Sequence, residues 1–181
     1  MEIAYCRRCG APATFQEGIQ YLCSNGHPIY ANPLPTASIF LVRGSQVLLA
    51  VRGIEPGKGK LDSIGGFVDG NETFEEAAYR ELKEEAGLEQ HQIGPLHYLT
   101  SSIGEYLFKD EPLQVLSLFY VASFDANTVP TPRDDVASFT WREATVASFT
   151  WREATSLSLD EFHADDVRSS FVALQSYLTH K

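Results

Sequence analysis

Apolar positions recur at every fourth residue through Phe74, Ala78 and Leu82, and this interval predicts an amphipathic helix between Thr73 and Gly87. Thr73 is its expected N-cap, with Glu76 three residues on to complete a capping box. Gly87 is placed to end the helix as a left-handed residue, with Leu88 folding back on it. A second helical stripe, Val167, Phe171, Leu174 and Leu178, lies within 160–180. Apolar runs at 36–42 and 46–52, joined at Gly44-Ser45, predict a β-hairpin. Further strands are expected at 61–68, 96–102 and 113–124, with a mobile loop at 53–60. Strands flanked by two helices make an α/β architecture. Asn32-Pro33-Leu34-Pro35 reads as a linker and divides the chain into 1–32 and 33–181.

The first helix carries charge inside its apolar stripe. At about 100° per residue, Glu85 projects between Phe74 and Ala78, with Glu81 beside it and Glu84 further round. Glu81 and Glu85 form a like-charge pair that costs an isolated helix a few tenths of a kcal/mol. A carboxylate taken out of water without a partner costs much more. A divalent cation bound among them offsets both, and a ligand set made only of oxygen suits Mg²⁺, Mn²⁺ or Ca²⁺ rather than zinc. The bland alternative is a solvated acidic face.

The wider spacing decides between them. Gly66, five residues, Glu72, seven residues, then Arg80-Glu81-Leu82-x-Glu84-Glu85-x-Gly87-Leu88 satisfies every position of the Nudix box. The chain therefore resembles a Nudix hydrolase. The resemblance implies an α/β/α sandwich with a mixed sheet. It implies that Glu81, Glu84 and Glu85 hold Mg²⁺ or Mn²⁺, assisted by the Gly66 carbonyl, and that Glu72 and Arg80 form a bracing salt bridge. Glu81 is a ligand, the general base, or both. The implied reaction is attack of water on a pyrophosphate bond in a nucleoside diphosphate derivative, with the metal activating water and neutralising the phosphates.

Cys6-x2-Cys9 and Cys23-x3-His27 bracket a strand-like segment at 14–22, the pattern of a zinc ribbon. The alternative is three ordinary reduced cysteines. A segment this small needs a staple, which favours structural Zn²⁺. The segment is similar to the ribbon of NADH pyrophosphatases and of their ADP-ribose/FAD relatives, which usually carry a second C-x2-C. Here either His27 replaces the fourth cysteine, displaced by one position, or the site is incomplete.

Composition narrows the partners. With 181 residues, 44% of them apolar, the chain can bury one sizeable core plus a small module. It has no twenty-residue apolar run to span a membrane and no apolar signal region, so the expected location is cytoplasmic. A net charge of −10 argues against long nucleic acid. A small nucleotide substrate is compatible where cations cluster, and Arg52, Lys58 and Lys60 flank the approach to the box. Tyr106 and Phe108, expected in a loop at 101–112, either stack on a base or pack at the rim. That loop lacks the S-Q-P-W-P-F-P-x-S run of NADH pyrophosphatases, so NADH preference is not implied. Asp135 stands six residues before Trp141, the relation of an extra metal ligand in many Nudix proteins. His91, His97, His163 and His180 show no ligand spacing, which assigns them to surface or core. A homodimer is a compatible assembly.

The resulting expectation is a Mg²⁺-dependent hydrolase of a dinucleotide or ADP-ribose-like substrate. A nucleoside triphosphate substrate and a non-catalytic nucleotide-sensing or protein-binding module are the alternatives, and the intact carboxylate set favours the enzyme. Residues 136–145 recur unchanged as 146–155. The sheet has one natural place for such a strand, and the first copy is expected to take it.

Overall fold

A computed structural model describes residues 3–108, 111–124, 129–144 and 158–179. The chain divides into two compact units, Met1–Leu34 and Pro35–Lys181.

In the first unit, β1 (Ala13–Glu17), β2 (Gln20–Cys23) and β3 (Pro28–Tyr30) form an antiparallel sheet in that order. The single strand expected at 14–22 is a hairpin, because Gly18 turns the chain at a φ of 55° that other residues rarely adopt. Its core holds little more than Cys6, Cys23 and Ile29.

Among the described residues, the second unit is a curled seven-stranded sheet with two α-helices. Its main path runs β10 (Val136–Glu143), β5 (Gln46–Arg52), β4 (Leu34–Arg43), β9 (Glu111–Ser123), β8 (His97–Phe108). β4 and β5 pair as the expected hairpin. β4 alternates between faces as a strand must. Ala37, Ile39 and Leu41 join one core with Ala77, Ala78, Leu82 and Ala86 of helix α1 (Phe74–Ala86). Phe40 and Val42 join the other core with Val167, Phe171 and Leu174 of helix α2 (Asp165–Thr179). Two cores on opposite faces of one sheet make the α/β/α sandwich. No described helix is long and apolar enough to cross a membrane.

Three elements differ from the sequence expectation. The strand at 61–68 is two, β6 (Leu61–Asp62) on β5 and β7 (Ile64–Phe67) on β4. The chain changes partner at Ser63, whose N–H is taken instead by Asp62 Oδ1 at 2.8 Å. The loop expected at 101–112 is largely ladder, with β8 and β9 paired out to Phe108 and Glu111. Its mixed polar and apolar residues satisfy their backbone by pairing, which reading for apolar runs alone does not detect. β4 begins at Leu34, inside the expected linker.

The first copy of the repeated decapeptide supplies β10, paired to β5 from Val136↔Arg52 to Glu143↔Gln46. The second copy, 146–155, lies outside the described residues.

Candidate functional site

Helix α1 starts on the Thr73–Glu76 capping box and stops at Gly87, with a φ of 64°. Between these caps the helical period fixes where each carboxylate goes. Glu85 is buried, 7% exposed, and its Oε2 accepts the Gly65 N–H of β7 at 3.0 Å. Glu81 is half-buried beside Gly66, where any Cβ would collide with its carboxylate. Glu84 is exposed. This is the order the sequence period predicts.

Arg80 ties the group together. Its guanidinium donates to both oxygens of Glu72 at 2.7 and 3.1 Å, to Glu81 at 2.7 Å, to Glu84 at 2.9 Å and to the Phe67 carbonyl at 2.8 Å. The salt bridge between Glu72 and Arg80 implied by the resemblance is thus present. Glu72 in turn accepts the Asp69 N–H at 2.8 Å, bracing the loop on the helix.

The remaining charge is poorly compensated. Burial, then Asp135 and Glu81 nearby, push Glu85 up to about 10. Burial also raises Glu81, against the pull of Arg80. Glu85, Glu81 and Asp135 therefore crowd together, with Arg80 on Glu81, Arg52 3.9 Å from Asp135 and Glu85 the most strongly raised. An all-oxygen set of this charge fits a hard divalent cation, the condition under which all three would ionise.

These carboxylates open into a cavity of about 320 Å³. Of the substrate residues expected from sequence, Arg52 and Tyr106 line it. Arg52 is held by Asp62 at 2.8 Å and the Pro56 carbonyl at 2.9 Å, with Asp135 at 3.9 Å, and its Nη2 has no hydrogen-bond partner. Burial lifts Asp62 to about 6 in spite of Arg52. Lys58 and Lys60 line a separate depression with Thr140 and Arg142, and Lys60 Nζ donates to the Asp160 carbonyl at 2.7 Å. Phe108 lies exposed at the end of β8 and is not part of the cavity wall.

The cavity also holds residues the sequence did not mark. Tyr106 meets Phe67 and His163 edge-to-face, with ring centroids 5.7 and 6.3 Å apart. His163, assigned by its lack of ligand spacing to surface or core, sits on this wall. Burial and then Arg52 depress its pKa, favouring the neutral imidazole. Thr36, Ser117 and Asp166 line the same cavity from β4, β9 and α2. Asp166 gave no local signal, since it follows Asp165 in the first turn of α2, where acidic residues are ordinary.

In the first unit, the donor atoms of Cys6, Cys9, Cys23 and His27 all lie within 4.8 Å of one another. Cys6 Sγ is 3.8 Å from His27 Nδ1 and Cys9 Sγ is 3.9 Å from Cys23 Sγ. These separations match the edge of about 3.8 Å in a tetrahedron of thiolates around zinc. The cysteines are free, not disulfide-linked. The Arg8 and His27 N–H groups donate to Cys6 and Cys23 sulfurs at 3.4 and 3.3 Å. The Ala11 N–H, foremost, lowers Cys9 to about 6, as a metal thiolate requires. The residues fit a structural zinc, with His27 in the fourth place.

The NUDIX domain family matches residues 32–164, and the chain belongs to it. Among curated relatives, an NAD-capped RNA hydrolase of Haemophilus influenzae is 33% identical over 141 residues, covering 76% of this chain and 50% of that protein. An ADP-ribose pyrophosphatase of Methanocaldococcus jannaschii is 40% identical over 60 residues, 33% of this chain and 36% of that one. The chain thus spans at most half the length of these relatives. A NUDIX hydrolase structure from Nitrosomonas europaea shares the fold, with TM-score 0.63 and 18% identity over 99% of this chain and 92% of that one.

Proposed function

We propose that the chain hydrolyses the pyrophosphate bond of a dinucleotide or ADP-ribose-like nucleoside diphosphate derivative, with Mg²⁺ or Mn²⁺. The observation that carries this reading is the buried Glu85 lining one cavity with half-buried Glu81 and Asp135 beside it, where burial and the neighbouring carboxylates hold the Glu85 pKa far above its ordinary value. Glu81, Glu84, Glu85 and the Gly66 carbonyl would hold the cation, with Asp135 as a further oxygen donor. When bound, the cation supplies activation of water and neutralisation of phosphate charge. The chain itself supplies placement. Arg80 fixes the rotamers of Glu81 and Glu84, and the Gly65 N–H fixes Glu85. Arg52, charged and buried on the cavity wall, is placed to bind a phosphate oxygen.

Cys6, Cys9, Cys23 and His27 would hold a structural Zn²⁺ that closes the ribbon. Two relatives are named for an NAD-capped RNA and for ADP-ribose, both of which contain a nucleoside diphosphate linkage. The net charge of −10 favours the small-molecule end of that range over RNA. The test is a Mg²⁺-dependent hydrolysis screen of ADP-ribose, NADH, FAD, diadenosine polyphosphates and nucleoside triphosphates. Hydrolysis of one of the dinucleotide or ADP-ribose class, lost in Glu85→Gln, supports the reading. Activity on triphosphates alone, or none, overturns it.

A further inference from the structure

Strand register brings Arg52 and Asp62 together. β5 and β6 pair Ala50 with Asp62 and Val51 with Leu61. Ala50 and Arg52, two apart on β5, share a face, so Asp62 is the diagonal neighbour of Arg52 on that face. Asp62 Oδ2 accepts from Arg52 Nη1 at 2.8 Å, and Oδ1 accepts the Ser63 N–H at 2.8 Å. With both oxygens engaged, the carboxylate has one settled orientation. Arg52 Nε donates to the Pro56 carbonyl at 2.9 Å. That carbonyl belongs to a loop with bonds of its own. Glu55 accepts the Gly57 N–H at 2.8 Å, the Gly59 N–H donates to the Arg52 carbonyl at 2.9 Å and the Lys60 N–H to the Gly57 carbonyl at 2.9 Å. The segment 53–60, expected as a mobile loop, is hydrogen-bonded around the base of Arg52.

These bonds leave one corner of the guanidinium open. Of its donors, Nε and Nη1 are claimed, while Nη2 is buried without a hydrogen-bond partner. Asp135 lines the same cavity, and its carboxylate stands 3.9 Å from Nη2, beyond hydrogen-bond reach. A guanidinium free to turn would close on Asp135, because opposite charges attract strongly where water is scarce. Arg52 would then offer less to a phosphate, and Asp135 less to a cation. Asp62 holds the guanidinium short of that contact. A buried donor left unpaired costs stability, and a ligand that brings acceptors removes the cost.

Building on the reading of Arg52 as a phosphate ligand, we infer that Asp62 is a positioning residue: it fixes the guanidinium with Nη2 open to the substrate diphosphate and off Asp135. A donor set before the ligand arrives avoids the entropy of ordering it on binding. The simpler role for Asp62 is to neutralise a buried charge. That role gives the opposite sign, since removing the Asp62 charge would make the cavity more positive and tighten the binding of an anion.

The experiment measures dissociation constants for ADP-ribose by calorimetry, with zinc retained and no other divalent cation added, so that hydrolysis does not interfere. At pH 8, Arg52→Lys should weaken binding about tenfold, because an ammonium lacks the fixed fork of donors. Asp62→Asn should weaken it by a similar factor in the unsubstituted chain and by less than about twofold beside Arg52→Lys, where no fork remains to position. The second readout is pH. Protonation of Asp62 dissolves the ion pair, so the advantage of the unsubstituted chain over Arg52→Lys should shrink toward unity as pH falls through about 6. Asp166 also faces Asp62, and Asp135, Tyr106 and His163 face Arg52. Protonation of those acids and of His163 makes the cavity more positive in both proteins, so the ratio cancels it. The diphosphate of ADP-ribose, esterified at both ends, does not titrate in this range. The ratio needs no change at Asp62, so it decides the matter if Asp62→Asn does not fold. Unchanged or tighter binding by folded Asp62→Asn, additive effects of the two substitutions, or a ratio flat with pH overturns the inference, as does no binding to the unsubstituted chain. Hydrolysis with Mg²⁺ is scored separately, so the general reading stands or falls by itself.

Discussion

Two donor sets in this chain invite comparison, the thiolate–imidazole cluster of the first unit and the carboxylates of α1. The first is convergent as it stands, with all four donor atoms within 4.8 Å. The second is held in place by protein: Arg80 claims Glu81 and Glu84, while Glu85 is sunk against Gly65. Closed, complete ligand sets belong to metals that hold a fold, and sets with open positions belong to metals that do chemistry. The first unit has only a small core, Cys6, Cys23 and Ile29 with a few partly buried neighbours, so the proposed zinc would carry much of its stability. The sandwich has two full cores and tolerates a badly compensated site between them.

Replacing Glu85 should break the second set most completely. Glu85→Gln should lower hydrolysis by roughly three orders of magnitude, equivalent to several kcal/mol of lost charge stabilisation. Its melting temperature should hold or rise, since an amide is neutral in both folded and unfolded chains and avoids the cost of protonating Glu85 on folding. Turnover and melting curves on the same preparation check both halves. Near-normal turnover would detach the carboxylates from the chemistry.

The opposite pairing of effects is expected in the ribbon. Purified protein should carry about one zinc per chain, as a four-ligand site requires. Cys9→Ser should release it and remove hydrogen-exchange protection across 3–34, while protection in the sandwich persists. Elemental analysis and exchange mass spectrometry read this out, and full protection without zinc would refute the assignment.

A smaller effect follows from pH. Glu85 has a folded pKa of about 10 against an ordinary value of 4.5. Between those values the folded chain binds the extra proton, so stability without divalent metal should fall as pH rises through that window. The limit is about 1.4 kcal/mol per pH unit, or ~3–5 °C in melting temperature for a chain of this size. Mg²⁺ should flatten the slope, because it stabilises the ionised carboxylate. Melting curves from pH 6 to pH 9, with and without Mg²⁺ and with zinc retained, provide the check.

The smallest effect is expected from deleting 146–155. The first copy already supplies β10, and long surface insertions cost only about 0.6 kcal/mol per doubling of length. Melting temperature and activity should stay equal or improve, and a large loss of either would show that the second copy is structural.

What was legible in the sequence is what one element encodes by itself. Thr73, Gly87 and the period of α1 specified the caps and the ranking of Glu85, Glu81 and Glu84 by burial, because helix geometry links spacing to direction. The β4–β5 hairpin was legible for the same reason. What three elements assemble was not. Thr36, Ser117 and Asp166 are separated by 81 and 49 residues, and no spacing rule joins them. His163 was read by ligand spacing, which says nothing about the wall of a cavity. Tyr106 was legible as a residue and not as a position, since its strand depends on pairing with Leu113.

Arg80 has one more consequence. A guanidinium that holds three carboxylates is, in the language of competition, a resident monocation occupying the seats a dication would need. Under the proposed metal binding, Glu81 and Glu84 would share their charge between Arg80 and the ion, while Glu72 and the Phe67 carbonyl keep the guanidinium anchored. The competition would set a threshold that a monovalent ion, offering no more charge than Arg80 already does, has little means to overcome. On that proposal, preference for divalent ions would come from the residue that keeps the acids in order.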